Sequence, residues 1–133
     1  MDGPILPRML TPIIVHGAAG RMGRRILALA SERPAEFHIV AGVDQRSGSL
    51  RDLGIAIDAP LLAQVPATRG AVVLDFSHHS VFAALASRCA AEGMALVSGT
   101  TGIEPGLLDA ALAVTCTSVP AMHAMNYSVG VNV

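Results

Sequence analysis

Hydrophobic positions fall in short blocks whose spacing switches repeatedly between the strand and helix periods. Ile13 to His16 is a brief β-branched run that stops at the glycines Gly17, Gly20 and Gly23. From Met22 the apolar residues recur at Ile26, Leu29 and Ala30, a helical spacing predicted to end near Ser31, with Pro34 beyond. His38 to Val43 predicts a second strand with Asp44 at its C-terminal end. Gln45 to Gly70 carries the weakest pattern. Leu50–Leu53 suggests a helical turn there and Ile55–Ile57 a short strand.

The second half is clearer. Ala71 to Phe76 reads as a central strand by its continuous apolar content. A helix is predicted from Ser80 to Glu92, with Val81, Phe82, Leu85 and Cys89 on one face and Gly93 as its stop. Ala95 to Gly99 predicts a strand, and Pro105 to Leu112 a helix with Leu107, Leu108, Ala111 and Leu112 inward. Val114 to Val119 is the expected last strand. Strands alternating with helices through short turns imply an α/β fold, a Rossmann-like doubly wound parallel sheet in a single domain. The expected divisions are a loose tail over residues 1–12, with Pro4, Pro7 and Pro12, then a dinucleotide-binding unit over 13–126.

Composition narrows the chemistry. The chain has 133 residues, of which 52% are hydrophobic and 14% charged, enough apolar material to fold. A net charge of −1 argues against nucleic-acid or anionic-membrane partners, which need a basic patch. All nine basic residues are arginine. The absence of lysine excludes a Walker-type phosphate loop, a Schiff-base site and a Tyr-x-x-x-Lys dehydrogenase site. Cys89 and Cys116 belong to no CxxC pair and read as reduced thiols of a cytoplasmic protein. No third ligand accompanies His78 and His79, so they read as loop histidines and no metal site is expected.

The glycine turn suits a dinucleotide. Gly17 permits a sharp exit from the strand, Gly20 a close backbone approach to a diphosphate, and Gly23 tight helix–strand packing. Ala18, Ala19 and Met22 complete the loop, and Arg21 adds a positive charge. An ordinary strand–turn–helix rich in small residues has the same spacing. Asp44, about 20 residues on, stands where a carboxylate receives ribose hydroxyls. It would favour NADH over NADPH, although Arg46 could soften its repulsion of a 2′-phosphate. DFSHHS and SGTTG close two later strands at the edge where such sheets bind ligands. In SGTTG, Gly99 allows close approach while Thr100 and Thr101 offer hydroxyls and N–H donors to a nicotinamide ring.

Together GAAGRMG, LDFS, SGTTG and MNYSVGVNV resemble the 4-hydroxy-tetrahydrodipicolinate reductase (dihydrodipicolinate reductase) family, over Ile13 to Val133. The resemblance implies NADH or NADPH bound along Gly17 to Met22, at Asp44, along Gly99 to Thr101 and along Ala124, Met125, Asn126 and Tyr127, with Phe76 and Ser77 lining the nicotinamide side. It implies a reductase of a cyclic dicarboxylate in lysine and diaminopimelate biosynthesis, homo-oligomeric at full length. In that family a second domain supplies a histidine pair and a lysine for the substrate. Neither that run nor any lysine occurs here, so the substrate domain is expected to be absent, residues 127–133 to begin the crossing toward it, and these residues alone to be inactive. His78 and His79 do not match the pair. The family tends to a small residue at Met125 and a basic one at Gln45, and the second departure counts against NADPH. The family's chain also returns to the cofactor domain, so this chain is expected to expose apolar surface and self-associate. A non-catalytic NAD(P)-binding redox sensor is the alternative reading.

Overall fold

A computed structural model describes residues 10–124. Its frame is a seven-stranded sheet, β1 (Pro12–His16), β2 (His38–Val43), β3 (Gly48–Ser49), β4 (Pro60–Leu62), β5 (Val72–Asp75), β6 (Ala95–Ser98) and β7 (Ala121–His123), in the order β3-β4-β2-β1-β5-β6-β7. Every pairing is parallel except β3 with β4 at one edge. The Rossmann-like α/β reading therefore holds, with one antiparallel pair that the apolar pattern did not announce.

Three helices cross between strands: α1 (Arg21–Ser31), α2 (Phe82–Glu92) and α3 (Pro105–Thr115). Residues alternating along the strands face opposite layers. Val15 packs with Leu27 and Ala30 of α1, while Ile14, Val73 and Leu96 pack with Phe82, Leu85, Ala86 and Cys89 of α2. Burying the valine, leucine, isoleucine and phenylalanine side chains among them contributes about 2 kcal/mol each. The strand order reverses at β1, whose neighbours are β2 and β5. A crevice opens there, at the carboxyl ends of the strands.

Two predicted strands are corrected. Ile55–Ile57 forms no ladder, because the left-handed Gly54 closes a 3-10 turn over Leu50–Leu53 and the Ile55 amide donates to the Leu50 carbonyl. Leu61 and Leu62, not Ile55 to Ile57, reach the free edge of β2. Val114–Val119 is not a strand either. Leu108, Ala111, Leu112 and Thr115 keep a helical spacing toward the core, so α3 continues to Thr115. The last strand begins only after Pro120. Val81 and Leu107, expected inward, are exposed. The short 3-10 turn His79–Val81 ahead of α2 rotates Val81 off the buried face. The expected tail (residues 1–9 of it) and the crossing over 127–133 lie outside the described residues.

Candidate dinucleotide cleft

The exit from β1 is built around glycine for internal reasons at two positions. Gly17 has φ +85°, and a Cβ there would run into the Phe76 carbonyl. A Cβ on Gly23 would strike the Gly17 carbonyl and sit 2.9 Å from the Ala18 Cα. Gly20 differs. Its φ is −76° and an added Cβ would meet only the Gly17 carbonyl, at an ordinary 3.4 Å. The protein itself makes little demand for glycine there; the space above it is open.

Helix α1 begins without a side-chain cap. The Gly17 and Ala18 amides donate to the Val43 carbonyl, and Gly20 donates to Gly17. The amides of Arg21, Met22 and Gly23 have no acceptor among the described residues. Uncapped first-turn amides with the positive end of a helix dipole behind them form an anion site. Arg21 is exposed beside it. Ala18 is fully buried against Gly42, so it shapes the turn and does not face a ligand.

Asp44 sits across the crevice. Its Oδ2 accepts from the Ala19 amide at 2.9 Å and its Oδ1 from the Gln45 amide at 2.8 Å. Each carboxylate oxygen keeps an acceptor site for ribose hydroxyls. The cleft, of about 370 Å³, joins His16, Gly17, Gly20, Asp44, Phe76 and Ser77. Five of those six are residues that the sequence assigned to the cofactor. No group of three or more His, Cys, Asp or Glu side chains among the described residues is placed to hold a metal ion.

The third loop departs from expectation at Thr100. It is buried, its hydroxyl donates to Asp75 Oδ2 at 2.8 Å and accepts from the Ser77 amide, and its own amide donates to Ser98 Oγ. Thr100 therefore holds the loop and does not offer a hydroxyl to a ligand. Gly99 is tied down by its amide to the Asp75 carbonyl, while Thr101 is exposed. The Ala124 amide donates to the Ser98 carbonyl, which brings the end of β7 beside this loop. Met125, Asn126 and Tyr127 lie outside the described residues. The exposed His78 caps its own turn, its Nδ1 accepting from the Ser80 amide. His123 donates from Nε2 to the Thr100 carbonyl at 2.7 Å, a packing role.

Sequence reasoning missed Asp75. It is wholly buried and accepts from His16 Nδ1 at 2.9 Å, Ser77 Oγ at 2.5 Å, Ser98 Oγ at 2.7 Å and Thr100 Oγ1 at 2.8 Å. Burial alone would push its carboxyl pKa up; the hydrogen bonds from His16, Ser77, Ser98 and Thr100 outweigh that and hold it below the usual value. The signal lay in LDFS, where one charge interrupts an otherwise apolar central strand. A carboxylate there requires buried donors.

Turn, carboxylate and crevice together raise the question of kinship. A family model, "Dihydrodipicolinate reductase, N-terminus", matches residues 11–127. The chain belongs to the dihydrodipicolinate reductase family. It is 39% identical over 124 residues to the 4-hydroxy-tetrahydrodipicolinate reductase of Stenotrophomonas maltophilia, covering 91% of this chain and 50% of the relative. The enzyme of that name from Anaeromyxobacter dehalogenans is 37% identical, over 93% of this chain and 48% of its own length. The chain thus spans about half the length of these curated relatives. Among solved structures, dipicolinate-bound dihydrodipicolinate reductase from Paenisporosarcina sp. TG-14 superposes with a TM-score of 0.67 at 19% identity, over 92% of this chain and 49% of that one. The WlbA dehydrogenase of Thermus thermophilus, solved with NAD, gives 0.61 at 15% identity, over 86% and 41%. Both likenesses concern the fold alone.

Proposed function

We propose that this chain is the NAD(P)H-binding part of a 4-hydroxy-tetrahydrodipicolinate reductase in lysine and diaminopimelate biosynthesis, working in the cytoplasm. The observation that carries the reading is the family membership over 11–127, with the glycine turn of that match folded into an uncapped helix start facing Asp44. When bound, the reduced nicotinamide supplies the hydride for reduction of the cyclic dicarboxylate. The chain's own part is to bind and orient. The amides of Arg21 to Gly23 receive the diphosphate, Gly20 leaves it room, and Arg21 adds charge. Asp44 accepts the adenosine ribose hydroxyls. Phe76, Ser77, Gly99 and Thr101 border the nicotinamide side, and Ala124 to Tyr127 follow from the resemblance. These 133 residues contain no lysine and no histidine pair of the substrate-binding kind, so we infer that alone they hold cofactor without turnover. Homo-oligomerisation belongs to the full-length reading.

Calorimetric titration with NADH and NADPH tests the proposal. Binding of at least one is expected, and a folded chain that takes up neither overturns it. Asp44→Ala should weaken NADH roughly tenfold, the loss of a charged acceptor, and NADPH less, since it also removes repulsion of the 2′-phosphate. An equal loss for both would show that Asp44 does not meet the ribose.

A further inference from the structure

The buried Asp75 carboxylate has a consequence at the cleft surface. The carboxylate accepts from the Nδ1–H of His16, the last residue of β1 and the neighbour of Gly17. A neutral imidazole that donates from Nδ1 carries a lone pair on Nε2. Among the described residues no buried side-chain nitrogen or oxygen lacks a partner, and the His16 ring hydrogen-bonds only through Nδ1. Nε2 is therefore open to solvent, and His16 lines the cleft. The same carboxylate fixes the hydroxyl of Ser77, which lines the cleft, and that of the buried Thr100. One buried charge thus sets an acceptor between the diphosphate turn and the Ser77 loop.

We propose that His16 Nε2, oriented by Asp75, receives a hydrogen bond from a ribose hydroxyl on the nicotinamide half of the bound dinucleotide. The chemistry selects the ligand group. An Nε2 lone pair repels phosphate oxygens and needs a donor, and the donors lying between a diphosphate and a nicotinamide are ribose hydroxyls. His16 is then a contact residue, and Asp75 a positioning residue acting through it. The inference rests on the dinucleotide reading above.

The test compares two ligands on the 133-residue chain. NADH has both halves, whereas ADP has the adenosine and diphosphate but no nicotinamide ribose. His16→Phe keeps a ring without nitrogen, and Asp75→Asn keeps the shape without the charge. Each should weaken NADH roughly tenfold, about one charge-assisted hydrogen bond, and leave ADP unchanged. A merely structural role would lower both affinities together, and that result overturns the proposal. So does NADH binding indifferent to His16→Phe, the variant that decides the matter should Asp75→Asn not fold. Native chain that binds neither ligand overturns the dinucleotide reading and this proposal with it. ADP binding with NADH unmoved by either substitution overturns this proposal alone.

Discussion

Gly17, Gly20 and Gly23 share a motif but not a reason. At Gly17 the positive φ, and at Gly23 the approach of backbone atoms, leave no room for a methyl group. A Cβ at either position has to displace backbone, not a pliable side chain. Gly20 faces open space with an ordinary φ. We therefore expect Gly23→Ala to destabilise the fold by about 2 kcal/mol or more, and Gly20→Ala to leave thermal stability close to native while lowering NADH affinity at least tenfold. Urea unfolding beside ligand titration checks both, and a Gly20→Ala chain with native affinity would show that nothing large approaches that amide. Asp75 supports a second expectation at this scale. Its pKa in the folded chain lies below the unfolded value of about 3.9. A depressed carboxyl pKa contributes stability that is present above about pH 4 and lost as pH falls through the folded value. The melting-temperature gap between the native chain and Asp75→Asn should thus narrow as the pH falls below about 4. Glu104 and Asp58, whose carboxyl pKa values are also depressed, are shared by both proteins and cancel. A gap constant through the acid range would remove Asp75 as the origin.

Elements were legible where one physical signal acted alone. The β-branched run before Gly17, the strand His38–Val43 and the helix stop at Gly93, with φ +68°, each follow from local residues. The errors came where tertiary contacts chose between local options. VTCTSV has strand-like composition, yet Thr115 completes a helical stripe and its side chain is buried, with its hydroxyl toward the Ala86 carbonyl. Ile55 looks like strand, yet it is needed under α1, among Leu27, Leu53 and Leu61. The same limit governed the site. Gly17, Gly20 and Asp44 could be picked out because the glycine spacing follows a strand and opens a helix and the carboxylate stands at a strand end, and the structure brings them to one cleft. The link between Asp75 and His16 could not, and the sequence assigned Thr100 the wrong role, because their meaning lies in mutual distances among β1, β5 and β6 that no local spacing encodes.

At the scale of the whole molecule the two faces of the sheet are unequal. Among the described residues, helices α2 and α3 cover one face of β5 and β6, whereas α1 covers the other face only over the β1 side. Register shows where cover ends. Val15, Leu74, Val97 and Met122 lie in one row across β1, β5, β6 and β7. Val15 is fully buried, Leu74 and Val97 are half-buried, and Met122 is 53% exposed. Beside the outer strands runs a groove of about 690 Å³ that includes Val72, Ala95, Val97 and Met122. A contiguous apolar face of this kind associates in water, and the occupant available to a purified chain is a second copy. Sedimentation velocity should therefore show weight-average mass rising with concentration. Val97→Lys, a charge placed in the middle of the row, should return the chain toward monomer while leaving NADH affinity unchanged, since Val97 lines the groove and not the cleft of His16, Gly20 and Asp44. A native chain that stays monomeric as its concentration rises, or a Val97→Lys chain that associates as strongly as native, would mean that this row of the sheet is not the contact.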